Sequence, residues 1–271
     1  MATKGKAIMV KIPGTATAMV GEATTEDGTT KIYLITATAK QVLEPDTAIA
    51  VHKYSGSPSS AEDGTNTTNI EITGHGIAVE ATCLIINTTR ASAKRIATAA
   101  DANNLTVAAV TSQAVGDEIK LCPVELSSGY VLNRLKGTVT YATAASREIY
   151  VSGNYLPLTE IGGAKEISIG LSADNQDVTV FGKNFIVRDQ GLKDISVSIS
   201  GFYLTDTNME FLTGDKNVLI EFYIDRTSTW HIRLWSRMSS EEISGAVDGV
   251  VEESLDLEGD TDNDRNAIAF N

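Results

Sequence analysis

At 271 residues the chain is long enough for one large β domain or two small ones, and a hydrophobic share of 42% can furnish a core. Its net charge of −13 argues against a surface that grips nucleic acid, because phosphate binding needs clustered Lys and Arg. Frequent Gly, abundant Thr and Ala and an aromatic share of only 6% suit many short strands and turns better than long helices.

The two cysteines, Cys83 and Cys122, have no Cys-x-x-Cys spacing and no neighbouring histidines, so they read as buried thiols rather than a disulfide framework. No apolar run of signal-peptide or membrane-spanning length occurs, which gives the expectation of a chain made in a cytoplasm, with no membrane partner.

Residues 1–30 are small and polar, with apolar patches at Ile8, Met9 and Val10 and at Met19 and Val20. They read as a β-like arm with weak structure of its own. Lys31 to Thr36 reads as a strand, Thr38 to Glu44 as one or two helical turns stopped by Pro45, and Thr47 to Lys53 as a second strand. A Ser/Pro/Gly/Asp/Thr-rich loop from Gly56 to Gly64 marks a boundary. Beyond it lie five short strand-like runs, at Asn69–Thr73, Ala81–Asn87, Ala93–Thr98, Leu105–Val110 and Glu118–Cys122. Turn signals at Gly74-His-Gly, Asn103-Asn104 and Val115-Gly-Asp separate them. Regular short strands of this kind predict a small barrel or sandwich over about 57–128.

Tyr130 to Tyr141 predicts two strands about a tight turn at Gly137. In the stretch from Ile149 to Tyr203, two segments alternate strictly. Ile167, Ile169 and Leu171 oppose Glu166, Ser168 and Ser172, and Ile195, Val197 and Ile199 oppose Ser196, Ser198 and Ser200. Period-two alternation predicts half-buried strands, each with a serine-rich face that is wet or meets another subunit. Further on come a short helix from Asp206 to Leu212, an apolar strand from Val218 and an alternating strand from Thr229 to Ser236. A turn or short helical start at Ser239–Ser244, a last strand from Gly249 to Gly259 and a loose acidic tail over 260–271 complete the chain.

The ordered set Ser152-Gly-Asn-Tyr-Leu-Pro-Leu158, Ala173-Asp-Asn175, Thr179-Val-Phe-Gly182, Gly191-Leu-Lys-Asp194, Gly201-Phe-Tyr203 and Asp206…Phe211-Leu212 resembles the tail tube (major tail) proteins of long-tailed bacteriophages. The resemblance covers about 28–55 and 135–259 and fails between them. It implies a tube-like β-sandwich or barrel domain with short helices, formed by 1–56 and 129–271. The 57–128 module would be inserted where such proteins have a short loop, and so would project outward. It also implies hexameric rings of this chain stacked into a tube that conducts double-stranded DNA without specific binding. Other implied partners are the tape measure, the terminator and the baseplate or tip, in a virion assembled in the host cytoplasm. Under it the arm at Ile8, Met9 and Val10 reaches an adjacent ring, and Ser168, Ser196, Ser198 and Ser200 mark subunit-contact strands.

For chemistry, the three histidines, His52, His75 and His231, fall in separate segments without a nucleophile motif, so no catalytic residue and no cofactor are expected. Asp260-Thr-Asp-Asn-Asp opens like a calcium loop, but Arg265 stands where that loop needs glycine and the chain offers no twelfth-position glutamate. A solvated acidic tail is the reading, with no metal site. From Ser239 onward there are ten acidic residues and one base, Arg265, so this segment holds nine of the thirteen net negative charges. That suits a charged sheet edge, or a channel wall that DNA must slide past. Glu252, Ser254, Asp256 and Glu258 share one strand face by period two. Glu252, Asp256 and Glu258 are the first candidates for the lumen, and Glu253 is a misfit among Leu255 and Leu257. Two rivals stay open: another virion part (tail terminator, neck or decoration protein), and a carbohydrate-binding adhesin module.

Overall fold

The computed structural model describes residues 8–26, 32–35, 42–45, 47–54, 56–62, 68–90, 93–107, 114–144, 147–164, 166–177, 188–202, 218–223, 230–244, 252–260 and 268–270. Among these the chain is almost wholly β, and its one helical element is a single 3-10 turn, Ser127–Gly129. It divides into two compact units, 1–15 with 157–271, and 16–156.

The first unit is one antiparallel sheet. Its strands are β1 (Ile8–Pro13), β15 (Leu158–Ala164), β16 (Glu166–Asp177), β17 (Arg188–Phe202), β18 (Val218–Tyr223), β19 (Ile232–Ser244), β20 (Glu252–Gly259) and β21 (Ile268–Phe270). They run in the order β15-β1-β18-β19-β20-β17-β16, with β21 beside the first half of β19. The sheet curls: β15, at one end, comes close to β17, one strand short of the other. Its core holds Ile195, Val197, Ile199, Ile220, Phe222, Ile232, Leu234, Leu255 and Leu257. Each such side chain contributes about 1.5–3 kcal/mol on leaving water.

The second unit holds two sheets. In the six-stranded one, β6 (Ser59–Ser60), β7 (Asn69–Glu71), β8 (Thr82–Asn87), β9 (Ala93–Ala99), β10 (Asn104–Val107) and β11 (Glu118–Pro123) run in the order β6-β11-β8-β9-β10-β7. The five predicted runs are its last five strands, and Gly74, Gly76 and Gly116 take positive φ in the predicted turns. In the seven-stranded sheet, β2 (Thr17–Glu26), β3 (Ile32–Ile35), β4 (Val42–Leu43), β12 (Tyr130–Asn133), β13 (Thr138–Tyr141) and β14 (Glu148–Leu156) run β12-β13-β3-β2-β14-β4, and β5 (Ala50–Tyr54) also pairs β14. Leu84, Ile86 and Cys122 on one face of the six-stranded sheet pack with Tyr54 and Tyr150 of β5 and β14, so the two sheets share a buried junction. Gly21 has φ +57, and a Cβ there would lie 2.7 Å from the Leu84 methyls. The close approach of β2 therefore needs glycine twice over. Cys83 sits in the core on the opposite face of β8 from Leu84, so the two buried free thiols lie on different faces and do not bridge.

Several expectations are corrected. Val42–Leu43, expected as the end of a helical turn, is a strand paired to Leu156 and Tyr155. Ser239–Ser244 is no turn: β19 runs through it because every residue from Ser240 to Ser244 has a partner on β20. Residues 8–26, expected as a β-like arm, are β as expected but do not have the weak structure foreseen, since both strands are paired within the chain, and Ile268–Phe270 of the expected loose tail pairs with Ile232–Leu234. The helix expected at 206–212 lies outside the described residues, as does Thr179 to Gly182.

Candidate functional site

Four adjacent strands, β16, β17, β20 and β19, build one polar surface. Antiparallel register places Ser168 opposite Ser198, Gly170 opposite Ser196 and Glu166 opposite Ser200. It then sets Ser196, Ser198 and Ser200 against Glu258, Asp256 and Ser254. Because side chains alternate with period two, Ile195, Val197 and Ile199 go to the core together with Leu255 and Leu257, while the serines and carboxylates share the other face. A Cβ at Gly170 would lie 2.7 Å from Ser196 Oγ, so a larger residue there would turn that hydroxyl aside.

On β19 the register shifts between Met238 and Ser240. This bulge re-phases the strand: Arg237, Ser240 and Glu242 all fall opposite the polar row of β20, whereas Met238 and Glu241 fall opposite Leu257 and Leu255. Without the extra residue, Ser240 and Glu242 would turn to the core side.

Asp256 is the hub. Its Oδ1 accepts from Ser198 Oγ at 2.6 Å and its Oδ2 from Ser240 Oγ at 2.9 Å, while Ser239 Oγ donates to its carbonyl at 3.0 Å. The Ser198 and Ser240 hydroxyls hold its carboxyl below the usual carboxylate range, so it stays ionised. Among the described side chains, those exposed on this face include Glu166, Asp194, Glu242, Asp256 and Glu258 against one guanidinium, Arg237, and that one bonds Asp260 Oδ2 at 2.5 Å. The surface is therefore small-residue, hydroxylated and net negative.

Of the residues singled out from the sequence, Ser168, Ser196, Ser198, Asp256 and Glu258 are exposed on this face, and Ser200 is half-buried on it. Glu252 occupies the matching position on β20, opposite Ser244, and its side chain lies outside the described ones. Ile8, Met9 and Val10 are elsewhere, on β1, which is paired on both edges by β15 and β18.

A second polar group is buried and escaped the sequence reading. Glu221 is 1% exposed. Its carboxylate meets Arg233 Nε at 2.7 Å, Lys11 Nζ at 3.1 Å and His231 Nε2 at 3.6 Å. Lys11 also lies over the Tyr223 ring at 4.5 Å and donates to its hydroxyl at 3.3 Å. Against the cost of burial, Arg233 most strongly, with Tyr223 and His231, keeps the Glu221 carboxyl below its ordinary value. The cluster ties β1, β18 and β19 together. Its signal was one carboxylate inside the apolar run Val218-Leu-Ile-Glu-Phe-Tyr.

His52 Nε2 lies 3.0 Å from Ser152 Oγ, and that hydroxyl accepts the Gly21 N–H at 2.8 Å. Both side chains are buried, and burial lowers the His52 pKa to about 4, so the ring is neutral at pH 7. The trio joins β2, β5 and β14 and is a structural knot. Among the described residues no group of three His, Cys, Asp or Glu could hold a metal ion, and no helix is long and apolar enough to cross a membrane.

No protein-family model matches the chain, and no curated protein matches it. Among solved structures, a chain of the virion of a native gene transfer agent particle aligns at 17% identity and TM-score 0.34, covering 42% of this chain and 88% of its own. A chain of the tail of an empty gene transfer agent particle, refined with six-fold symmetry, aligns at the same identity and TM-score, covering 42% and 86%. A TM-score of 0.34 is too low to show a shared fold.

Proposed function

We propose that this chain is a structural virion protein, the subunit of a phage tail tube, and that the polar face of β16, β17, β20 and β19 lines the bore. One observation carries the reading. A continuous four-stranded surface presents serines and exposed carboxylates with, among the described side chains, a single guanidinium, itself ion-paired, while its back is the apolar core. Such a wall suits passage of DNA. At physiological salt the repulsion reaches about 8 Å, enough to keep phosphates from settling on the wall and too short to block a duplex on the axis.

Ring formation has a means in β16. Among the described residues it is paired on one edge only, by β17, and Ile167 and Ile169 are half-buried while Leu171 is 62% exposed. A neighbouring copy that completes the sheet there would cover this row and remove an aggregation-prone edge. Six copies per ring, stacked rings and contacts with the tape measure, terminator and baseplate or tip belong to the same proposal, as does an outer position for 57–128. An inter-ring role for Ile8, Met9 and Val10 would require them to leave their present pairing.

Negative-stain microscopy of the concentrated full-length protein tests this. Hollow tubes are expected, with gold–maleimide on Val115→Cys decorating their outer surface. Val115 is 70% exposed at a turn, and the native thiols are buried. Single rings that never stack would favour a terminator or neck part, and label confined to the bore would contradict the outward placement.

A further inference from the structure

A cleft in the second unit opens where the outer edge of β11 is left partly uncovered. β6 pairs β11 at Glu118 and Ile119, and β5 meets the segment that follows β11 at the His52–Val124 bridge and through Glu125 N–H donating to the Val51 carbonyl. Between these points lies a space of about 420 Å³, a size typical of small-molecule sites.

Its lining has a consistent chemistry. Lys53 and Glu125 face each other at 3.5 Å, so their charges cancel and neither a cation nor an anion is favoured. Ser57 and Ser59 supply hydroxyls. Tyr54 is also part of the lining, although its hydroxyl is fully buried and not open to the cleft. His75 has both ring nitrogens engaged by its own chain: Nδ1 accepts from Ile77 N–H at 3.0 Å and Nε2 donates to the Asp101 carbonyl at 2.9 Å. The ring is therefore held in place, and its faces are what it offers for contact. Leu121, Val124 and Leu126 add an apolar strip, with Leu126 76% exposed.

We infer that this cleft binds a short neutral saccharide, one to a few units long. Such a ligand is uncharged, rich in hydroxyls that donate and accept, and apolar on its C–H faces, which matches the lining point for point. The inference rests on the cleft alone and stands or falls independently of the tube.

Saturation-transfer difference NMR on the full-length protein tests it, because the method tolerates large assemblies. The probes are maltotriose, lactose and N,N′-diacetylchitobiose. Galacturonic acid and a neutral leucine-containing tripeptide serve as chemical controls. Transfer to at least one neutral saccharide is expected. Ser57→Trp, which fills the cleft from an exposed position, should weaken it by at least about tenfold, a change of about 1.4 kcal/mol. Tyr54→Phe, which removes only an enclosed hydroxyl and leaves the ring in place, should keep the transfer within about twofold of wild type. Circular dichroism would confirm that both variants keep the wild-type fold. No transfer to any saccharide, transfer unchanged in Ser57→Trp, or preference for the acid or the tripeptide would each overturn the proposal.

Discussion

Replacing Glu221 by Met takes from the Arg233 guanidinium, which is 2% exposed, the carboxylate that sits 2.7 Å from its Nε. Lys11 is 23% exposed and can turn to water, and His231 can shed its proton; Arg233 can do neither. Removing one partner of a buried pair costs about 3–5 kcal/mol, because the survivor keeps its desolvation penalty. For a unit of about 130 residues, at about 2 cal/mol/K per residue, that is a fall in Tm of roughly 10–20 °C. The double variant Glu221→Met/Arg233→Met removes both charges and fills similar volume, and should recover most of the loss. Differential scanning calorimetry of wild type, both single variants and the double variant closes the cycle. A single-variant cost below about 1 kcal/mol, or a double variant no better than Glu221→Met, would refute the reasoning.

Other outcomes follow from the same structure. The Glu221 carboxyl is held below its ordinary value, so its contribution to stability is present above about pH 4.5 and is lost as pH falls through the folded-state value. An acid unfolding transition steeper in wild type than in Glu221→Met/Arg233→Met checks this. His52, lowered to about 4, acts in the same direction: the unfolded chain takes up its proton first, so stability falls between about pH 6.5 and 4 by roughly 3 kcal/mol, and His52→Gln should flatten that slope in urea titrations. The Cys83 and Cys122 thiols, pushed up to about 11 and about 12 by burial, should resist Ellman's reagent in the native protein and react once it is unfolded. Leu84→Ala removes the fully buried side chain over Gly21 and should cost about 2–5 kcal/mol in urea unfolding.

What the sequence disclosed depended on how strongly each residue's burial was written into its chemistry. Ile195, Val197 and Ile199 alternate with serines, and the buried and exposed sets are the predicted ones. The period-two grouping of Ser254, Asp256 and Glu258 holds for the same reason, since nothing interrupts β20. The partner strand was illegible. Ser239-Ser-Glu-Glu has the look of a turn, and only a one-residue bulge, set by cross-strand pairing, brings Ser240 and Glu242 onto the polar face. β2 was missed because Thr17 to Glu26 buries little beyond Met19 and Gly21, so its strand character comes from neighbours and not from its own apolar pattern. The Glu221 cluster joins residues 11, 221, 231 and 233, a union of distant segments that no local pattern encodes.

The measurement that bears most directly on the central claim is a cryo-microscopy reconstruction of tubes assembled from the full-length chain. The account predicts rings whose inner wall is the face carrying Ser168, Ser198, Asp256 and Glu258, with β16 of each copy continued by its neighbour. A bore lined by any other surface, or this face pointing to solvent on the outside, would contradict it.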